Sequence, residues 1–86
     1  LEDFWKVHPK ARAGLEHWHN IAAKAVWSQF SQVRKHFPSA DAVKVRSRKT
    51  VTIFNISKND FRLITAIHYN KGRIFLMRFL THAEYD

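Results

Sequence analysis

Two arginines and one histidine in the second half of the chain are the side chains best suited to chemistry. Arg62 and Arg78 each interrupt an apolar run, and His82 follows the second of these runs. An arginine inside a strand must pair, reach solvent or face a site, because burying it unpaired is very costly. Two converging guanidiniums could bind a phosphate, and a neighbouring imidazole is suited to proton transfer near neutral pH. The alternatives are arginines that cover the sheet or pair with carboxylates, and an ordinary surface histidine.

A second basic feature precedes the first predicted strand, where four cations occur within six residues: Lys44, Arg46, Arg48 and Lys49. Mobile cations at the rim of a fold suit contacts with phosphates, although a solvated charged loop has the same composition. The whole chain has fifteen Lys and Arg against seven Asp and Glu, for a net charge of +8. This excess favours a polyanionic partner, most often nucleic acid, over a basic surface that serves solubility alone.

Length and composition limit the remaining possibilities. Eighty-six residues, 45% of them hydrophobic, predict one domain over residues 1–86. The absence of cysteine excludes a disulfide scaffold, a thiol nucleophile and cysteine-ligated metal sites. His17 and His19 point to different sides of a helix and no His-x-x-x-His pair occurs, so we expect neither a metal nor another cofactor. No apolar stretch approaches the roughly 18 residues of a membrane span, and no secretory signal is visible, so we expect a cytoplasmic protein.

The first half of the chain has the periodicity of helices. Residues 1–5 predict a short helix that ends before Pro9. A second helix has one apolar face made of Ala11, Leu15, Trp18, Ala22 and Ala25. A third has an apolar stripe of Trp27, Phe30, Val33 and Phe37, with Ser28 as its N-cap and almost no loop before it.

The second half predicts three strands, over residues 50–56, 61–69 and 74–80, joined by short turns. The fold class is therefore α+β, with N-terminal helices packed on one face of a small antiparallel sheet. If the second and third strands pair across residues 70–73, residue 62 lies near residue 81 and Arg78 lies near Thr65. This pairing brings Arg62 and Arg78 into one neighbourhood.

Several segments resemble the HigB toxin family, the RelE-like toxins of type II toxin–antitoxin modules. The resemblance rests on residues 54–69 and on the ending Arg-Phe-Leu-Thr-His-Ala-Glu-Tyr-Asp of residues 78–86, together with Phe-Trp-x-x-His-Pro at residues 4–9 and residues 37–41. Family members usually begin with a strand before the first helix, and we expect that this strand has been trimmed here. The family's Gly-Gly-Asn turn is replaced by Ser57-Lys58-Asn59, which adds a cation.

The resemblance implies a ribosome-dependent endoribonuclease that cleaves translated mRNA. It implies a HigA-like antitoxin as partner, contact with the ribosome and mRNA, operator DNA binding only through the antitoxin complex, and no membrane. The site hypothesis assigns His82 to proton transfer, Arg78 and Arg62 to charge stabilisation, Tyr85 to base stacking or acid catalysis, and Asp86 to orienting His82. The residues expected to contact RNA are Lys44, Arg46, Arg48, Lys49 and Lys58.

Three other functions remain open from the sequence. A basic RNA- or ribosome-binding module would use the same arginines without catalysis. A ParE-like gyrase inhibitor would share the fold and would need no histidine chemistry. A sequence-specific DNA-binding protein is disfavoured, because neither predicted helix has the exposed basic face of a recognition helix.

Overall fold

The computed structural model of the protein describes residue 6 and residues 9–47, 49–58 and 60–85, without the side chain of Tyr85. The expected helix over residues 1–5 lies outside this part of the chain. The elements are a 3₁₀ turn (Pro9–Ala11), α1 (Arg12–Lys24), α2 (Phe30–His36), β1 (Asp41–Lys44), β2 (Thr50–Ile56), β3 (Phe61–His68), a second 3₁₀ turn (Tyr69–Lys71), β4 (Arg73–Thr81) and α3 (His82–Tyr85).

The four strands form an antiparallel sheet in the order β1-β2-β3-β4. This arrangement confirms the α+β class and the three-strand meander, and it adds β1 at one edge. The sequence Asp-Ala-Val-Lys of β1 is only four residues long, which is too short to show a strand periodicity. Pairing with β2, which places Val43 opposite Val51, is what forms this strand.

Helix α1 packs against one face of the sheet, which we call the helix face. The predicted apolar stripe of α1 is confirmed, since Leu15 and Trp18 are buried in the core. On the sheet side, Phe54, Leu63 and Phe79 lie opposite one another on β2, β3 and β4, and all three are buried. Burial of such side chains contributes about 1.5–3 kcal/mol each, so this row accounts for much of the core.

The segment before α2 differs from the expectation. Residues 25–29 separate the two helices, and α2 begins at Phe30 with Gln29 rather than Ser28 as its N-cap. The Ser28 hydroxyl and its backbone N–H both donate to Oε1 of Gln32. Trp27 lies in this segment, is buried against Phe54, and donates its indole N–H to Nδ1 of His36 at 3.1 Å. The need to bury this indole explains the longer connection.

Gly14 marks the closest approach of α1 to the sheet. A Cβ atom there would lie 2.5 Å from Oγ of Ser57, in the β2–β3 turn, and 2.8 Å from Cγ2 of Ile56, at the end of β2. These separations are shorter than a van der Waals contact, so any larger residue must displace the helix or the β2–β3 turn. The glycine therefore sets how closely the helix packs.

We expect Gly14→Ala to destabilise the protein, although alanine is the better helix former by about 1 kcal/mol. Overpacking of a tight contact costs about 1–3 kcal/mol, which outweighs the gain in propensity. Urea unfolding should therefore show a lower midpoint for Gly14→Ala. The exposed Asn20→Ala change in the same helix is the control and should be neutral or slightly stabilising. A Gly14→Ala protein as stable as the parent would contradict this packing.

Candidate functional site

The pairing of β3 with β4 places both strand arginines on the same face of the sheet. Arg62 lies opposite Leu80, and Ile64 lies opposite Arg78. Residues 62 and 64 share a face because side chains alternate along a strand, so Arg62 and Arg78 are diagonal neighbours. We call this side, which faces away from α1, the open face.

We expected Arg78 near Thr65, and the structure places it one residue away, opposite Ile64. Directly opposite Thr65, the Arg78 side chain would lie on the helix face, because Thr65 is fully buried there and its hydroxyl donates to the Thr52 carbonyl. The difference arises at the hairpin, where His68 pairs with Arg73, and the irregularity between Ile64 and Thr65 then moves the register one residue back toward the expected pairing. The neighbourhood of Arg62 and Arg78 is nevertheless as expected.

Arg62 reaches His82 directly, with Nη2 of the guanidinium 3.2 Å from Nδ1 of the imidazole. A guanidinium can only donate hydrogen bonds, so Nδ1 must be the accepting nitrogen in this contact. The neutral imidazole then has its proton on Nε2. His82 is exposed and Arg62 is half-buried, so the pair lies at the surface.

The position of His82 is determined by the start of α3. The Thr81 backbone N–H donates to Oε1 of Glu84 at 2.9 Å, and the Glu84 N–H donates to Oγ1 of Thr81 at 3.1 Å. This reciprocal pair is a capping box, and its Thr-x-x-Glu pattern is a signal in the sequence that our prediction missed. The His82 N–H donates in turn to the Asp60 carbonyl at 2.9 Å. The backbone of His82 is thus held between the end of β4 and the β2–β3 turn.

The β2–β3 turn brings Lys58 to the same end of the sheet as His82. Ser57 and Lys58 have φ angles of 53° and 56°, in the left-handed region that glycine occupies without strain. The Gly-Gly of the family would suit this backbone, and the replacement by Ser-Lys adds a charge. Asn59 lies outside the described residues.

The other cluster of predicted RNA-binding residues lies at the opposite end of the sheet. Lys44 pairs with Thr50, and the Val45 N–H donates to the Lys49 carbonyl across the β1–β2 turn, where Arg46 is exposed. The length of β2, about 20 Å at the usual strand rise, separates this turn from the end near His82. The structure therefore groups Arg62, Arg78, Lys58 and His82, but not Lys44, Arg46 or Lys49. Arg48, Asp86 and the side chain of Tyr85 lie outside what is described.

A cavity elsewhere in the described part of the chain does not belong to this cluster. It has a volume of about 550 Å³ and lies between the C-terminal part of α1 and the β3–β4 hairpin, with Trp18, Val26 and Tyr69 in its lining. Burial raises the pKa of the Tyr69 hydroxyl, although a hydrogen bond with Thr52 opposes the change. Arg62, Arg78 and His82 do not line this cavity. Their cluster is an open surface, which suits a polymer better than an enclosed small molecule.

No helix in the described part of the chain has the length and apolar content needed to cross a membrane.

An α+β domain with a basic open sheet face fits the class of RelE-like toxins. The family described as HigB toxin, the RelE-like toxic component of a toxin–antitoxin system, matches residues 11–86. The chain therefore belongs to the HigB toxin family, as the resemblance indicated.

Three proteins that are similar to this chain in sequence carry the name HigB. The mRNA interferase toxin HigB of Escherichia coli K12 is 26% identical over 86 residues, which cover 100% of this chain and 81% of that protein. The mRNA interferase HigB of Shigella flexneri has the same identity and coverage. The mRNA interferase HigB of E. coli O6:H1 is also 26% identical and is covered over 82% of its length.

We expect Thr81→Val to loosen the start of α3, because valine keeps the β-branched shape and removes the oxygen that caps Glu84. Loss of an N-cap costs about 0.5–2 kcal/mol. Hydrogen exchange should show a less protected Glu84 amide and a less protected His82 amide. Thr50→Val, at an exposed position of β2, is the matched control and should leave both amides unchanged. Unchanged protection in Thr81→Val would contradict the capping assignment.

Proposed function

We propose that the protein is an endoribonuclease that cleaves translated mRNA on the ribosome and so inhibits translation. The observation that carries this proposal is the contact of Arg62 with His82, with Arg78 beside it on the same open face. The names of the relatives, mRNA interferase toxin HigB and mRNA interferase HigB, support the same activity.

RNA can be cleaved by its own 2′-hydroxyl group. The 2′-oxygen loses its proton to a base and attacks the adjacent phosphorus, and the bond from phosphorus to the 5′-oxygen of the next nucleotide breaks. The departing 5′-oxygen gains a proton, which leaves a 2′,3′-cyclic phosphate and a 5′-hydroxyl. Catalysis therefore requires a proton acceptor, a proton donor and cations for the charge on the phosphorane.

The described residues supply most of these groups. Arg62 and Arg78 are cations on one face, where their guanidiniums can bind the oxygens of one phosphate. A guanidinium binds an anionic phosphate more strongly than a neutral nitrogen, so bound RNA would compete with His82 for Arg62. A neutral imidazole has one nitrogen that accepts a proton and one that donates a proton. His82 is thus suited to proton transfer in either direction.

The remaining predicted residues extend this site. Lys58 lies in the turn next to the Asp60 carbonyl that holds His82, where it can bind a neighbouring phosphate. We retain Tyr85 as a base-stacking or acid group and Asp86 as the residue that orients His82. Lys44, Arg46, Arg48 and Lys49 are assigned to more distant contacts with mRNA or ribosomal RNA.

Membership of a toxin–antitoxin family implies an antitoxin partner. We propose that this partner is HigA-like and that the protein reaches operator DNA only through their complex. The proposed site of action is the cytoplasm, where translating ribosomes supply the mRNA.

We expect His82→Ala and Arg78→Ala each to relieve growth arrest, because each removes a group that the chemistry requires. Loss of general acid–base catalysis lowers rates by about 10²–10⁴-fold. Primer extension on cellular mRNA after induction should show cleavage products for the parent and none for either variant. ¹H–¹⁵N correlation NMR spectra should show that both variants keep the fold.

Two substitutions of other cations serve as controls. Lys35→Ala removes a charge from the exposed surface of α2 and should leave mRNA cleavage at the parent level. Lys44→Ala alone, at the far end of the sheet, should have a mild effect. Parent-level cleavage by both His82→Ala and Arg78→Ala would refute the site.

Strongly salt-dependent RNA binding without any cleavage would favour the non-catalytic module, and accumulated gyrase–DNA cleavage complexes would favour a ParE-like activity.

A further inference from the structure

A β-bulge in β4 changes which side chains reach the open face. Ile64 pairs with Arg78, but Thr65 pairs with Leu76, so Met77 is an extra residue in β4. In a regular strand, residues 75 and 78 would lie on opposite faces, because side chains alternate. With the bulge, Phe75 lies opposite Ala66 and therefore shares the open face with Arg78.

Phe75 is a large aromatic side chain that the core does not use. It is 49% exposed, and its ring centroid lies 5.1 Å from that of His68, with the two planes at 88°. Arg73 is exposed and lies opposite His68 at the end of the sheet. The bulge therefore keeps an exposed phenyl ring next to an imidazole and a guanidinium.

The charges of this face indicate which partner it fits. Within the described parts of β3 and β4, the charged residues on the open face are Arg62, Arg73 and Arg78, and neither strand contributes a carboxylate. A surface of cations with an exposed aromatic ring is the combination that binds single-stranded nucleic acid, since the cations contact phosphates and the ring stacks on a base. A basic protein partner would be repelled.

We propose that Phe75 and His68 form a base-stacking subsite for single-stranded RNA, with Arg73 binding the adjoining phosphate. The subsite lies about 13 Å along β3 from Arg62 at the usual rise per residue, since Phe75 lies opposite Ala66 and Leu80 lies opposite Arg62. It therefore receives a nucleotide that lies outside the cleaved bond. This inference rests on the proposed ribonuclease function, because it extends the same RNA path across the open face.

The test compares Phe75→Leu and Phe75→Trp with the parent on ribosomes programmed with synthetic mRNAs. Phe75→Leu keeps an apolar side chain in the strand but removes the aromatic face, so KM should rise by about 5- to 150-fold, the range for a lost base–aromatic stack, while kcat changes little. Phe75→Trp should restore the parent KM. Met77→Leu is the control, since Met77 is also apolar and is 54% exposed, and its KM should equal that of the parent.

A second series of mRNAs, each with one abasic nucleotide near the cleaved bond, locates the stacked base. The parent should lose affinity at one position, and Phe75→Leu should be insensitive at that same position. Equal sensitivity of parent and Phe75→Leu at every position, or an unchanged KM, would overturn the subsite. Loss of antitoxin binding by Phe75→Leu with unchanged RNA affinity would also overturn it, because the face would then be a protein-binding surface.

Failure of the ribonuclease function can be distinguished from failure of the subsite. If the parent cleaves no RNA, binding of short single-stranded RNA by fluorescence anisotropy still compares Phe75→Leu with Phe75→Trp. Weaker binding by Phe75→Leu alone would support the subsite without catalysis. Equal binding by both variants would overturn the subsite independently of any cleavage.

Discussion

The pairing of β3 with β4 is the constraint on which the rest of the structure depends. Leu63 and Phe79 must both be buried against α1, and they lie opposite each other. A shift of one residue would expose these side chains and bury the arginines, so the apolar row determines the register. The outward direction of Arg62 is thus a consequence of core packing, and the contact with His82 follows from it.

Hydrogen bonds donated by backbone N–H groups connect the elements around His82. The capping box begins α3 directly after β4, and the Asp60 carbonyl ties His82 to the β2–β3 turn. The same turn contacts α1, since a side chain at Gly14 would meet Ser57. The packing of α1 on the sheet therefore also sets the position of the turn that carries Lys58. A change in the helix can reach the site through this contact.

The open face has the properties of a surface that binds a long polyanion. Cations lie at both ends of the sheet, with Lys58 in the β2–β3 turn and Arg46 in the β1–β2 turn about 20 Å away. The net charge of +8 adds a long-range attraction to nucleic acid that weakens with salt. The bulge at Met77 places the aromatic ring of Phe75 on the open face, between the two ends of the sheet. These features agree with a toxin whose substrate is RNA.

The sequence alone determined the fold class, the apolar stripe of α1 and the meander of β2, β3 and β4, because these depend on local periodicity and on short turns. It also identified the family through a resemblance that includes residues 54–69 and 78–86, and it contained the Thr-x-x-Glu capping signal that our prediction missed. It could not show β1, which forms through pairing with β2. Nor could it show the bulge, because the apolar run of β4 has the same appearance in the sequence whether or not one of its residues is left out of the pairing. Only the tertiary structure decided that Arg62, Arg78 and Phe75 share a face, since that depends on how β3 and β4 align with each other over a common core.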